Sequence, residues 1–276
     1  GPRQKGIALA VAHGDGGPPV LIDPGRGWSR SDVLALLAND LPDDTLVGLD
    51  LGIALPFADC GAYFPGAKAA LPDAPSLWAV IDDVCGPDPN LEVQRFVEHP
   101  DFRPYFRLGT ETGVRFGCDG ASHGRGRFRV TEHAQAAMGC RPYSNFNLVG
   151  AAQVGKSSLT GMRMLHHLRG RFPVWPVDPL PDRGSAIVEI YTSLAAKEAG
   201  RNIGRAKMRS MEDLNAALAR LGSSEVSGNG PIDDHSSDAL LTAAWLRRVS
   251  GETQRWTPAA LTGDVALTEG WTFGII

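Results

Sequence analysis

Apolar positions along this chain alternate between short runs of strand length and stripes of helical spacing. Lys5-Gly-Ile-Ala-Leu-Ala-Val-Ala12 and Pro19-Val-Leu-Ile-Asp23 are two such runs, and the glycine-rich turn His13 to Gly17 between them predicts a hairpin. Asp32 to Asn39 carries apolar residues at helical spacing, with Ser29 or Ser31 as its cap. Thr45 to Phe57 and Ala186 to Tyr191 read as strands covered on both faces. Helices are predicted near Ser76–Asp83, Asn90–Glu98, Ser157–Arg169, Ser210–Leu221 and Asp233–Arg248, and a closing strand over Gly270–Ile276. Strand, strand, helix, strand is the order of an α/β layer protein. No linker interrupts it. The pattern predicts one domain over residues 1–276, with the Pro- and Gly-rich stretch 58–170 as a large insertion.

Two of the buried-looking strands contain a carboxylate, Asp50 in one and Glu189 in the other. A buried carboxylate is costly unless it is paired or holds a metal. The helix from Asp233 begins acidic and turns apolar, and Asp234 and Asp238, four apart, share a face. Acids converging from two strands and a helix suggest Mg²⁺ or Mn²⁺, which carboxylates and waters hold. The plainer alternatives are definite: Asp233 and Asp234 as helix caps, Asp50 at a strand end beside an arginine, and Glu189 paired with Arg163 or Lys197.

Composition narrows the classes. With 276 residues, 43% hydrophobic, the chain can bury a sizeable core. A net charge of −4 argues against a general polyanion binder, so nucleic-acid contacts would come from local patches. Cys60, Cys85, Cys118 and Cys140 show neither a disulfide framework nor zinc-ligand spacing, which predicts reduced thiols in a cytoplasmic setting. No apolar run is long enough to span a membrane.

The segments Leu46–Pro56, Leu159–Arg163, Ile187–Tyr191, His235–Ala244 and Gly270–Gly274 occur in the order found in the DUF429 family of predicted nucleases, which this chain resembles. The resemblance implies an RNase H-like mixed sheet flanked by helices and a divalent-metal-dependent nuclease acting on DNA or RNA. It also implies that Asp50, Glu189 and Asp238 are the metal-holding acids, with Asp234 a fourth. The RNase H-like pattern calls for a further acid on a strand that would lie upstream of Gly1. A catalytically inactive nucleic-acid-binding or scaffold relative is the alternative within the same likeness.

A second motif competes. Gly150-Ala-Ala-Gln-Val-Gly-Lys156-Ser157 matches the P-loop pattern, with Asn145–Val149 as its strand and a helix after it. It would make the chain an NTP-binding protein. Alternatively it is a turn leading into a helix, or Lys156, Ser157 and Arg163 meet substrate phosphate at that helix. Arg125, Arg127 and Arg129 sit in a glycine-rich stretch read as a mobile basic loop, and with Arg163, His166, His167, Arg169, Arg171, Arg201, Arg205, Lys207 and Arg209 they offer either a phosphate-tracking groove or a solvated face.

Overall fold

The computed structural model describes residues 6–117, 125–150, 154–201 and 208–276. Expectations resting on residues 1–5, on Cys118 and His123, on 151–153 within the P-loop pattern, and on Arg205 and Lys207 lie outside them. The strands are β1 (Ala10–Val11), β2 (Val20–Leu21), β3 (Leu46–Leu49), β4 (Arg107–Leu108), β5 (Glu111–Thr112), β6 (Val174–Trp175) and β7 (Ala186–Glu189). The helices are α1 (Arg30–Asn39), α2 (Ala74–Cys85), α3 (Gln94–Glu98), α4 (Val130–Ala137), α5 (Val154–Leu168), α6 (Thr192–Glu198), α7 (Met211–Arg220), α8 (Asp234–Val249) and α9 (Gly263–Thr268). The chain divides into two compact units, Gly1–Val33 with Ile190–Thr257, and Leu34–Glu189 with Pro258–Ile276.

The first unit is organised on α8. The expected hairpin forms, β1 pairing antiparallel with β2, and both strands pack on α8 together with α6 and α7. Trp245, fully buried on α8, donates its indole N–H to Glu198 at 2.9 Å. Arg255 holds the same carboxylate at 2.7 Å and a second acid, Glu252, at 2.6 Å. Asp233 is the N-cap of α8, accepting from the amides of His235 and Ser236 at 3.0 Å each. Ser29 caps α1: its hydroxyl accepts from the Asp32 amide while Asp32 accepts from the Ser29 amide.

The second unit contains a parallel three-stranded sheet in the order β3-β7-β6. All four residues of β7 are buried, as a strand covered on both faces requires. Antiparallel pairing occurs in the hairpins β1–β2 and β4–β5, each a two-stranded sheet of its own. Helices α2 and α5 pack together, and Leu77, Trp78, Ile81, Leu159, Met162 and Leu165 on them are all buried. The stretch read as an insertion belongs to this unit and has an aromatic core of Phe64, Phe96, Phe102, Tyr105, Phe106 and Phe146, Phe96 stacking on Phe102 at 4.4 Å.

The predicted strand over Thr45–Phe57 stops at Leu49. Residues 52–56 are buried yet irregular, and side chains take over the role of a ladder. The amide of Gly52 donates to Ser158, that of Ile53 to Glu189, and those of Phe57 and Ala58 to Glu269. The Ile53 and Ala54 carbonyls accept from Trp78 and Asn145. Backbone polar groups buried outside regular structure need such partners, which explains why so many polar side chains lie inside this unit. The predicted final strand is likewise reduced to one parallel bridge, Glu189 to Thr272.

Candidate functional site

A buried cluster of charge in the second unit lies at the carboxyl end of β7. Glu189 is the last residue of that strand, only 3% exposed. Its partner is neither Arg163 nor Lys197 but Arg129, which is 1% exposed. Arg129 Nη2 donates to Glu189 Oε1 at 2.6 Å and Nη1 to Oε2 at 2.8 Å, a bidentate fork. The remaining donors of the guanidinium go to Glu132 at 2.6 and 2.9 Å and to the Glu269 carbonyl at 3.0 Å. All five of its N–H groups are therefore engaged. Thr272 Oγ1 and the Ile53 amide complete the shell of Glu189, at 2.5 and 2.8 Å.

Glu269, fully buried, accepts from the amides of Phe57, Ala58 and Val130. Burial pushes the Glu132 carboxyl up, opposed by Arg129 beside it. Burial alone would lower the pKa of Arg129, but Glu132 and Glu189 raise it well above the ordinary guanidinium range, so it stays charged. The charges are closed on one another.

As placed, Glu189 does not fit a metal ligand, since its four acceptor positions are taken by protein donors. Asp50 is exposed at the bend after β3 in the same unit, whereas Asp234 and Asp238 are half-buried on the first turns of α8 in the other unit. Each of these three has interactions of its own within the chain. Among the described residues, no group of three or more His, Cys, Asp or Glu is placed to hold a metal ion.

The phosphate candidates separate as well. Lys156 is half-buried and Ser157 exposed on the first turn of α5, where Ser157 Oγ donates to the Val154 carbonyl at 3.0 Å. Arg163, expected to meet phosphate, is buried: it donates to Asp82 at 2.8 Å and to the Glu92 carbonyl at 2.6 Å, tying α5 to α2 and the chain beyond it. Residues 145–149 are not a strand; only Asn147 makes a bridge, to Arg107. Gly155 is a packing glycine, because a Cβ there would lie 2.3 Å from the Asn145 carbonyl oxygen.

Two arginines of the supposed basic loop are interior. Arg127, 1% exposed, takes Asp59 in a bidentate grip and the carbonyls of Pro56, Ala62 and Tyr63. The reduced-thiol expectation also needs correction at one position: Cys60 is disulfide-bonded, while Cys85 and Cys140 are free and buried. Burial raises the Cys85 thiol to about 11.

The sequence pattern put Arg129 in a mobile basic loop and gave no role to Glu132 or Glu269. The signal for the first two was present in Arg127-Phe-Arg129-Val, where arginines alternate with apolar residues, and in a Glu three positions after Arg129. Among the described residues, no helix is long and apolar enough to cross a membrane. No family model matches the chain, and neither a curated protein nor a solved structure does.

Proposed function

We propose that this chain acts on nucleic acid as an RNase H-like phosphodiester hydrolase dependent on Mg²⁺ or Mn²⁺, with Asp50 of the second unit as its working acid. One observation carries the reading. β3 and β7 run parallel with Leu49 in register with Glu189, so Asp50 follows directly at the carboxyl end of the sheet. Ligands of open α/β sheets bind at that end. The order of the DUF429-like segments supports it further. Glu189 serves here as the inner support of the sheet end rather than as a ligand, and Lys156 and Ser157, on the outward first turn of α5, are the phosphate-facing residues. Arg163 ties α5 to α2 instead.

The test is cleavage of end-labelled DNA and RNA oligonucleotides with Mn²⁺, Mg²⁺ or chelator. Cleavage should need the cation and disappear in Asp50→Asn at an unchanged melting temperature; an Asp50→Asn protein that still cleaves removes Asp50 from the chemistry. A second reading, a relative that binds nucleic acid without cutting it, is favoured by the closed shell of Glu189. It predicts retention of the oligonucleotide by the wild type with no product in any metal.

A further inference from the structure

The family likeness gives Glu189 a divalent cation, whereas the chain places one of its own side chains there. We propose that Arg129 is the resident cation of this position: its guanidinium stands between Glu132 and Glu189 where a metal ion would stand, and Glu189 binds no Mg²⁺ or Mn²⁺ in the native protein. The inference holds under either reading of function, because it concerns who neutralises Glu189 and not whether phosphodiesters are cut.

Three features support it. The first is saturation. A carboxylate offers about four acceptor positions, and those of Glu189 are filled by two guanidinium nitrogens, the Ile53 amide and Thr272 Oγ1. A metal would have to displace donors from each oxygen. The second is charge and shape. A planar fork matches two carboxylates at once, which an ammonium does not, and Arg129 uses Nε and Nη2 on Glu132 while Nη1 and Nη2 face Glu189. The third is access. Arg129, Glu132 and Glu189 are 1%, 4% and 3% exposed, and Mg²⁺ usually keeps several of its waters, which leaves a hydrated ion nowhere to sit.

The arginine also does mechanical work that a free ion could do only by being bound. Through it, the start of α4, the end of β7 and the Glu269 carbonyl are joined at one point. Thr272 extends the same contact set, its hydroxyl on Glu189 and its amide on Thr131.

Anomalous diffraction from crystals of the full wild-type chain grown in MnCl₂ tests this directly. The expected map has no manganese peak in coordinating distance of Glu189, whatever other acids are occupied; a peak on Glu189 overturns the proposal. Arg129→Gln supplies the positive arm. Without the guanidinium, Glu132 and Glu189 face each other uncompensated, so Mn²⁺ should bind this variant with one more site per chain than the wild type by calorimetry and should raise its melting temperature. A folded Arg129→Gln protein that gains no Mn²⁺ site also overturns the proposal. If that variant does not fold, the wild-type map decides alone.

Discussion

Arg163 and Asp82 show how a charged residue in an outwardly basic stretch becomes structural. On α5, Arg163 lies four residues before His167, and both reach Asp82, at 2.8 and 3.1 Å. That spacing was readable, since such pairs share a helix face. The partner on α2 was not, because nothing local links positions 82 and 163. Burial works to raise the Asp82 carboxyl, but the Arg163 hydrogen bond, with His167 and Arg163 charge, carries it below its ordinary value. The consequence for stability has a definite sign. A depressed folded pKa contributes stability above the unfolded carboxyl value, about 3.9, and that contribution is lost as pH falls through the folded value. Urea unfolding of Asp82→Asn should therefore show its deficit at neutral pH and converge on the wild type in acid. A deficit that persists undiminished in acid would assign the effect to packing. Arg163→Met should cost roughly 1–3 kcal/mol, since it leaves the half-buried Asp82 with His167 alone and frees the carbonyls of Asp88 and Glu92. Made together, the two substitutions should cost less than their sum.

Glycines of α5 set the limits of what its sequence pattern could reveal. The helix itself was legible from apolar spacing, as were α1, α2, α7 and α8, with the clearest stripes on α2, α5 and α7 and a capping residue ahead of most of them. Short helices α4, α6 and α9 left too little periodicity to read. The run Thr45–Phe57 misled for another reason: the donors and acceptors that satisfy residues 52–58 come from Asn145, Ser158, Glu189 and Glu269, all far away in sequence. Apolar composition there signalled burial correctly and strand incorrectly. Gly155 and Gly161 lie against those same segments and should respond differently to alanine. At Gly155 a Cβ meets two backbone carbonyls, Asn145 at 2.3 Å and Asn147 at 2.9 Å, which cannot rotate aside. At Gly161 the nearest atoms belong to the side chain of Leu51, from 2.4 Å, and a leucine end can turn. Gly155→Ala should lose roughly 2–3 kcal/mol by overpacking, despite alanine's better helix propensity of about 1 kcal/mol. Gly161→Ala should lose about 1 kcal/mol or less, and equal losses in urea unfolding would contradict this account.

Across the whole molecule, the division into two units determines how a local defect should spread, and the candidate acids are distributed over both. Periodicity could not show that division, because the first unit is assembled from residues 1–33 and 190–257, on the two sides of a long interruption. No composition change or linker marks the three crossings. Each unit nevertheless has its own tryptophans and its own ion pairs, Trp245 with Arg255 and Glu198 in one, Trp78 and the Arg129 cluster in the other. Asp233→Ala is the perturbation best suited to ask whether they open separately. It removes the cap of α8, the helix on which β1, β2, α6 and α7 pack, and caps of this kind contribute about 1 kcal/mol. One kcal/mol is about a fivefold change in an opening equilibrium. Native-state amide exchange followed by mass spectrometry should show peptides from 190–257 exchanging about fivefold faster in the variant, with those from 34–189 unchanged. Acceleration of both sets by the same factor would mean that the chain opens as one cooperative body. Should the first result hold, Asp234 and Asp238 belong to a unit with its own opening equilibrium, distinct from that of the unit that carries Asp50.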